Sequence, residues 1–324
     1  MTRPPTLDGV RDAARKLAEI LPETPLLPLD TPAGRVWVKC ENLQPVGAFK
    51  LRGAYHRLSD LSAEERRQGV VAFSSGNHAQ GVAWAAKRLG IAATIVMPVD
   101  APAVKLDATR ALGAGVVLYD RMKESREEIG ARLAEEQGAT LVPSFDDPWI
   151  VEGQGSWALE AAGQMERLAG GPPDSAVICC GGGGLAAGAA LAMPGVPITL
   201  AEPAGWDDMA RSLAAGEIVP VGPNPPPTRC DALQTMRVAP LTFDILRAHG
   251  ASGVAVTETE VAHAMRTAFA KLHLVAEPGG AAALAAVLAG KAPVTDRTVV
   301  TLSGGNVDPA LFAEILVGET TTHR

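Results

Sequence analysis

From position 69 the apolar positions fall into short runs that alternate with longer stretches of mixed polarity. Residues 70–73, 92–97, 116–119 and 140–142 read as buried strands, and 77–89, 103–112 and 123–137 as helices. Gly90, Gly113 and Gly138 follow those helices, where a left-handed stop is cheapest for glycine. Short strands that alternate with helices imply parallel βαβ units. Residues 69–145 are therefore expected to form a small domain. A large domain would combine 1–68 with 146–324, its strands at 36–40, 176–180, 198–201, 253–256 and 298–302. Residues 7–21 read as an amphipathic helix stopped by Pro22. Residues 50–58 read as another, with Arg52 and Arg57 expected in solvent. The proline-rich stretch 220–228 reads as a loop. Residues 177–201 carry no charge, yet four glycines, Pro194 and Pro197 break them, which argues against a membrane span.

Composition narrows this picture. The chain has 324 residues, with Lys+Arg 29 against Asp+Glu 36, a net charge of −7. That balance offers no basic footprint for nucleic acid. A hydrophobic fraction of 47% is that of a folded α/β chain rather than a disordered one. Cys40, Cys179, Cys180 and Cys230 lack metal-type spacing, and Cys179 and Cys180 read as small buried hydrophobes. A reducing, cytoplasmic location is expected, because the first residues lack an apolar leader core. Little chain follows Asp308, so no C-terminal regulatory domain is expected.

Candidate chemistry begins at Lys50, one of eight lysines, within Val46-Gly47-Ala48-Phe49-Lys50-Leu51-Arg52-Gly53. Apolar surroundings lower an ammonium pKa, and a neutral amine can form a Schiff base with an aldehyde. The alternative is a helix-start lysine reaching for water. Gly181, Gly182, Gly183 and Gly184 follow a strand and open a helix, which suits a phosphate. They match neither the dinucleotide fingerprint nor the P-loop, and a tight turn is the alternative. Ser74-Ser75-Gly76-Asn77-His78 lies at another strand-to-helix junction, where capping explains part of its composition. Glu202 and Asp208 precede a helix, either as hard oxygen ligands or as acids that complement the dipole.

In this order, and with Ser303-Gly304-Gly305-Asn306, the stretches together resemble the fold-type II pyridoxal-phosphate enzymes. Among these they are most similar to the serine/threonine dehydratases and serine racemases. The resemblance runs from Thr24 to Asp308 and implies a two-lobed α/β fold like that of the tryptophan synthase β subunit. It implies that Lys50 bonds the cofactor and acts as general base. Phe49, Asn77, Gly181, Gly182, Gly183, Gly184, Leu185 and Ser303 would bind pyridoxal 5'-phosphate. Ser74, Ser75, Gly76, Asn77 and His78 would face the substrate carboxylate, His78 more as structure than as catalyst. Ser75, in the Ser-Ser-Gly-Asn-His form of the racemases, would be a second acid/base on the face opposite Lys50. Glu202, Asp208 and the Trp206 carbonyl would hold Mg²⁺, Mn²⁺ or Ca²⁺. A serine at position 303 carries no charge to hold a proton on the pyridine nitrogen, which favours elimination over transamination.

The expected activity is ammonia release from a 3-hydroxy amino acid such as L-serine, L-threonine or 3-hydroxyaspartate. A serine (or aspartate-type) racemase with side dehydratase activity is the alternative, and a non-catalytic nucleotide- or phosphate-binding protein a more distant one. A small-molecule substrate and a homodimer are expected, with neither nucleic acid nor membrane as partner. One departure stands out. Cys230-Asp231-Ala232-Leu233-Gln234 falls where the family usually has Ala-Asp-Gly and an apolar residue.

Overall fold

The structure is a computed structural model. It describes residues 3–318 except 75, 102 and 121, with residue 104 described by its backbone alone. Ten strands are defined: β1 (Leu26–Thr31), β2 (Gly34–Cys40), β3 (Val70–Phe73), β4 (Ala93–Pro98), β5 (Gly115–Tyr119), β6 (Thr140–Leu141), β7 (Ser175–Cys179), β8 (Ile198–Pro203), β9 (Ser252–Val256) and β10 (Thr298–Leu302). They form a six-stranded sheet, β1-β2-β10-β7-β8-β9, and a four-stranded sheet, β5-β4-β3-β6. Among the described strand pairs only β1–β2 is antiparallel. Parallel strands must be covered on both faces, and every residue of β7, β8 and β10 is buried.

The helix Pro148–Ala169 ties the large sheet to the site. Asp147 caps it, and Pro148 pre-sets its first turn. A Cβ on Gly153 would lie 2.5 Å from the Gly53 Cα, and one on Gly155 2.5 Å from the Gly188 oxygen. Those close approaches seat two further helices, Leu51–Ser59 and Gly184–Ala192, on the same support. One begins just after Lys50 and the other in the glycine run.

Two expectations fail here. Arg52 is not in solvent but 2% exposed. Its guanidinium donates to Glu41 at 2.7 and 2.8 Å and to Glu160 at 2.9 Å. Arg57 is turned inward too, 3.2 Å from Asp147 and over the Trp149 ring. The helix that carries them is packed on more than one side, so its polar positions need partners rather than water. The first helix ends at Ala18, and the charged helix begins at Arg126, capped by Ser125. All four cysteines are free and buried. Among the described residues no helix is long and apolar enough to cross a membrane.

Candidate active site

A cavity of about 640 Å³ lies at the C-terminal ends of strands from both sheets. It brings together Phe49, Lys50, Ser74, Gly76, Asn77, His78, the glycine run, Leu185 and Ser303. Ser75 lies outside the described residues. Such strand ends are where open α/β sheets present loops and helix N-termini.

Backbone pairing sets the position of Lys50. The Phe49 amide donates to the Ser303 carbonyl at 3.1 Å, and that of Gly305 to the Gly47 carbonyl at 2.8 Å. Gly47 has φ +70°, a turn that leads into the bridge between Ala48 and Gly304. Lys50 stays partly open to the cavity, and its Nζ donates to the Ser144 carbonyl at 3.1 Å. Burial lowers its pKa to about 8, against smaller raising effects of Cys179 and Glu277. The Phe49 ring lies 5.2 Å from the ammonium.

Asn77 opens the helix Asn77–Leu89, and its amide is held from both ends. Its Nδ2 donates to Glu277, while its Oδ1 accepts from Asn306 Nδ2 at 2.8 Å. Asn306 Nδ2 also donates to the Val46 carbonyl, which fixes the direction of the chain of donors. His78 Nε2 lies 2.9 Å from the Val142 carbonyl. Burial, helped by Lys50, pushes its pKa down to about 3, so the ring is neutral and tied to structure. Ser74 Oγ accepts from the Gly76 amide and braces the loop.

Gly183 has φ +86° and caps the helix Gly184–Ala192. A Cβ on Gly182 would meet the Phe145 ring at 2.2 Å, so no larger residue keeps this cradle. Leu185 is buried in the first turn of the helix. Ser303, 4% exposed, accepts from the Cys179 thiol at 3.0 Å, and burial raises the pKa of that thiol.

Three features of the site were not read from the sequence. Glu277, 2% exposed and lining the cavity, has its pKa raised to about 7, chiefly by burial. Its Oε2 has no hydrogen-bond partner among the described residues. Phe145 walls the glycine run. Lys105 and Asp231 meet at 2.5 Å on the cavity lining. Glu277 sits just before Pro278 at a helix start, where an acid reads simply as a dipole partner. The other two contacts join distant segments. Ala232, at the departure from the family pattern, also lines the cavity.

The expected cation ligands lie apart from this cavity. Glu202 lies near the end of β8, just before Pro203, and accepts from the amides of Met209 at 3.1 Å and Ala210 at 2.8 Å. Burial raises its pKa well above the carboxylate range. Asp208 is 0% exposed, and burial lifts its pKa to about 6. The amides of Val238 and Asp208 temper that rise, but both Asp208 oxygens lack a well-formed hydrogen bond among the described residues. Trp206 is buried between, its indole donating to the Pro226 carbonyl. Among the described residues no three His, Cys, Asp or Glu side chains converge as a metal cluster.

An amine whose pKa is lowered to about 8, a side-chain-free phosphate cradle at a helix N-terminus, and a buried serine hydroxyl on the same cavity lining fit an aromatic aldehyde phosphate. Comparison with known proteins agrees. The chain is 42% identical over 318 residues to an L-threo-3-hydroxyaspartate ammonia-lyase of Pseudomonas sp, covering 94% of this chain and 97% of that one. It is 37% identical over 321 residues to a serine racemase of Schizosaccharomyces pombe, covering 96% and 97%. The solved structure of maize serine racemase superposes with a TM-score of 0.88 at 34% identity, covering 97% of this chain and 98% of that one. The family described as "Pyridoxal-phosphate dependent enzyme" matches residues 18–304, and the chain belongs to it.

Proposed function

We propose that this chain is an ammonia-lyase that converts a 3-hydroxy amino acid to a 2-oxo acid and ammonia. The observation that carries this reading is Lys50, whose amine faces the cavity at a pKa of about 8, with the uncharged Ser303 on the same cavity lining. Bound pyridoxal phosphate supplies the electron sink that acidifies the substrate α-proton. Lys50 is the base that takes that proton, and its lowered pKa keeps part of the amine free at pH 7 to 8. The glycine cradle would hold the phosphate through backbone amides, and Asn77, whose Nδ2 keeps one N–H beyond its bond to Glu277, would bind the ring hydroxyl. The loop 74–78 receives the substrate carboxylate. Ser303, without charge, leaves a weak sink, so departure of the 3-hydroxyl is the favoured exit. Incubation with L-serine, L-threonine and threo-3-hydroxyaspartate should release oxo acid from at least one. No release from any of them would overturn the reading.

The Ser-Ser-Gly-Asn-His loop and the likeness to a serine racemase support a second activity, racemisation through Lys50 and Ser75. Lys50 serves one face of the substrate, and Ser75 would serve the other. Ser75→Ala should then abolish interconversion of L- and D-serine while elimination from the enantiomer facing Lys50 survives.

A divalent cation at Glu202, Asp208 and the Trp206 carbonyl is part of the proposal. The oxygens of Asp208 support it, because a buried carboxylate without a well-formed hydrogen bond is costly unless neutralised. Hard oxygen donors suit Mg²⁺, Mn²⁺ or Ca²⁺. The role would be structural. The helix Asp208–Ala215 carries Met209, whose Cε would meet a Cβ on Gly183 at 2.7 Å, so the cation would brace the cradle. We further read 69–145 as a small domain on 1–68 and 146–324, and the enzyme as a cytoplasmic homodimer.

A further inference from the structure

We propose that Lys105 is the side-chain reader of the site, selecting substrates with a second carboxylate, and that Asp231 occupies it as an internal stand-in. This rests on the ammonia-lyase reading above and names its substrate class, a 3-hydroxy dicarboxylic amino acid. Among the described residues the cavity lining holds four cationic side chains: Lys50, Lys105, Arg126 and Arg237. Lys50 must be free to move a proton. Arg126 pairs with Glu127 at 2.8 Å, lies over the Phe73 ring and keeps 44% of its side chain exposed. Arg237 is exposed. Lys105 alone of the outer three is buried, at 8% exposure. Its Nζ would lie 3.8 Å from a Cβ on Gly76, in the loop that takes the α-carboxylate. A four-carbon diacid seated on that loop brings its second carboxylate toward Lys105.

Asp231 holds the place now. Its carboxylate meets Lys105 across the cavity from the other sheet's side, yet its side chain is 50% exposed. On the Asp231 side the pair is open to water, which screens its attraction. A substrate carboxylate can replace it ion for ion, and Asp231 then turns outward to water without leaving a buried charge behind. Serine and threonine carry nothing to make that exchange.

The test compares kcat/KM for threo-3-hydroxyaspartate with that for L-serine. In Lys105→Gln the ratio should fall about tenfold or more, through KM for the diacid. In Asp231→Asn, with the competitor gone, KM for the diacid should fall about threefold. A second readout needs no turnover: succinate should raise the Tm of the cofactor-loaded protein more than propionate does, and Lys105→Gln should erase that difference. Ratios within twofold of the parent in both variants, or equal protection by the two acids, would overturn the assignment. A parent that releases oxo acid from serine but not from the diacid defeats this inference alone. A parent inactive on serine, threonine and the diacid alike defeats the ammonia-lyase reading beneath it.

Discussion

Lys50 and Arg52 stand two residues apart at the start of one helix, and their buried charges are handled in opposite ways. Arg52 enters a closed set with Glu41, Glu160 and Lys39, in which Lys39 Nζ also bonds Glu160 at 2.5 Å. Burial opposes the charge on Glu41, but Arg52 offsets it and holds that carboxyl below its ordinary range. Among the described residues the Lys50 ammonium has one hydrogen-bond acceptor, a carbonyl, and Glu277 nearby has one orphaned oxygen. There burial wins, and the pKa values move to about 8 and about 7. The difference teaches that buried charge in this chain serves two ends. Balanced pairs fix the geometry of the support, and unbalanced groups keep protonation adjustable near neutrality.

The comparison can be broken hardest at Lys50. Lys50→Ala should lower kcat/KM by about a thousandfold or more while the unfolding midpoint stays within about 1 kcal/mol of the parent, because no ion pair is lost. Arg52→Met should do the reverse. It leaves Glu41 buried without its partner and should cost about 3–5 kcal/mol in denaturant unfolding, with kcat of the folded fraction far less affected. A mild stability loss there would mean that the charge set is not acting as a unit.

Glu277 sharpens the comparison through pH. Its pKa rises on folding from 4.5 to about 7, so the fold holds its proton more tightly than the unfolded chain does. That contribution is fully present below pH 4.5 and is lost as pH rises through 7, about 3 kcal/mol in all. Glu277→Gln in the cofactor-free protein should therefore flatten the fall in stability between pH 5 and 8. Parallel curves for parent and variant would contradict it. The smallest effect concerns the proposed cation. Chelation should lower Tm by about 2–5 °C, Mg²⁺ or Mn²⁺ should restore it, and Glu202→Ala should remove the response.

Much of the cavity was legible in the sequence because its parts are linear: a lysine between glycines, four glycines after a strand, and short polar runs at strand ends. What escaped was whatever depends on contacts between distant segments. Arg52 reads as a solvent residue until Glu160, 108 positions away, is packed against it. Lys105 and Asp231 are separated by 126 positions. The helix Pro148–Ala169 was hidden by its own glycines, which lower helix propensity yet permit the close packing that seats the site. β1 was missed because Pro28 interrupts it, as only an edge strand allows.

The most direct measurement is borohydride reduction of the cofactor-loaded protein followed by peptide mapping. Lys50 and Lys105 both line the cavity, so the chemistry has a real choice of amine. The account predicts that the reduced cofactor is found on the peptide containing Lys50 and on no other lysine. Label on Lys105 or Lys39, or a protein that carries no covalent label after reduction, would contradict it.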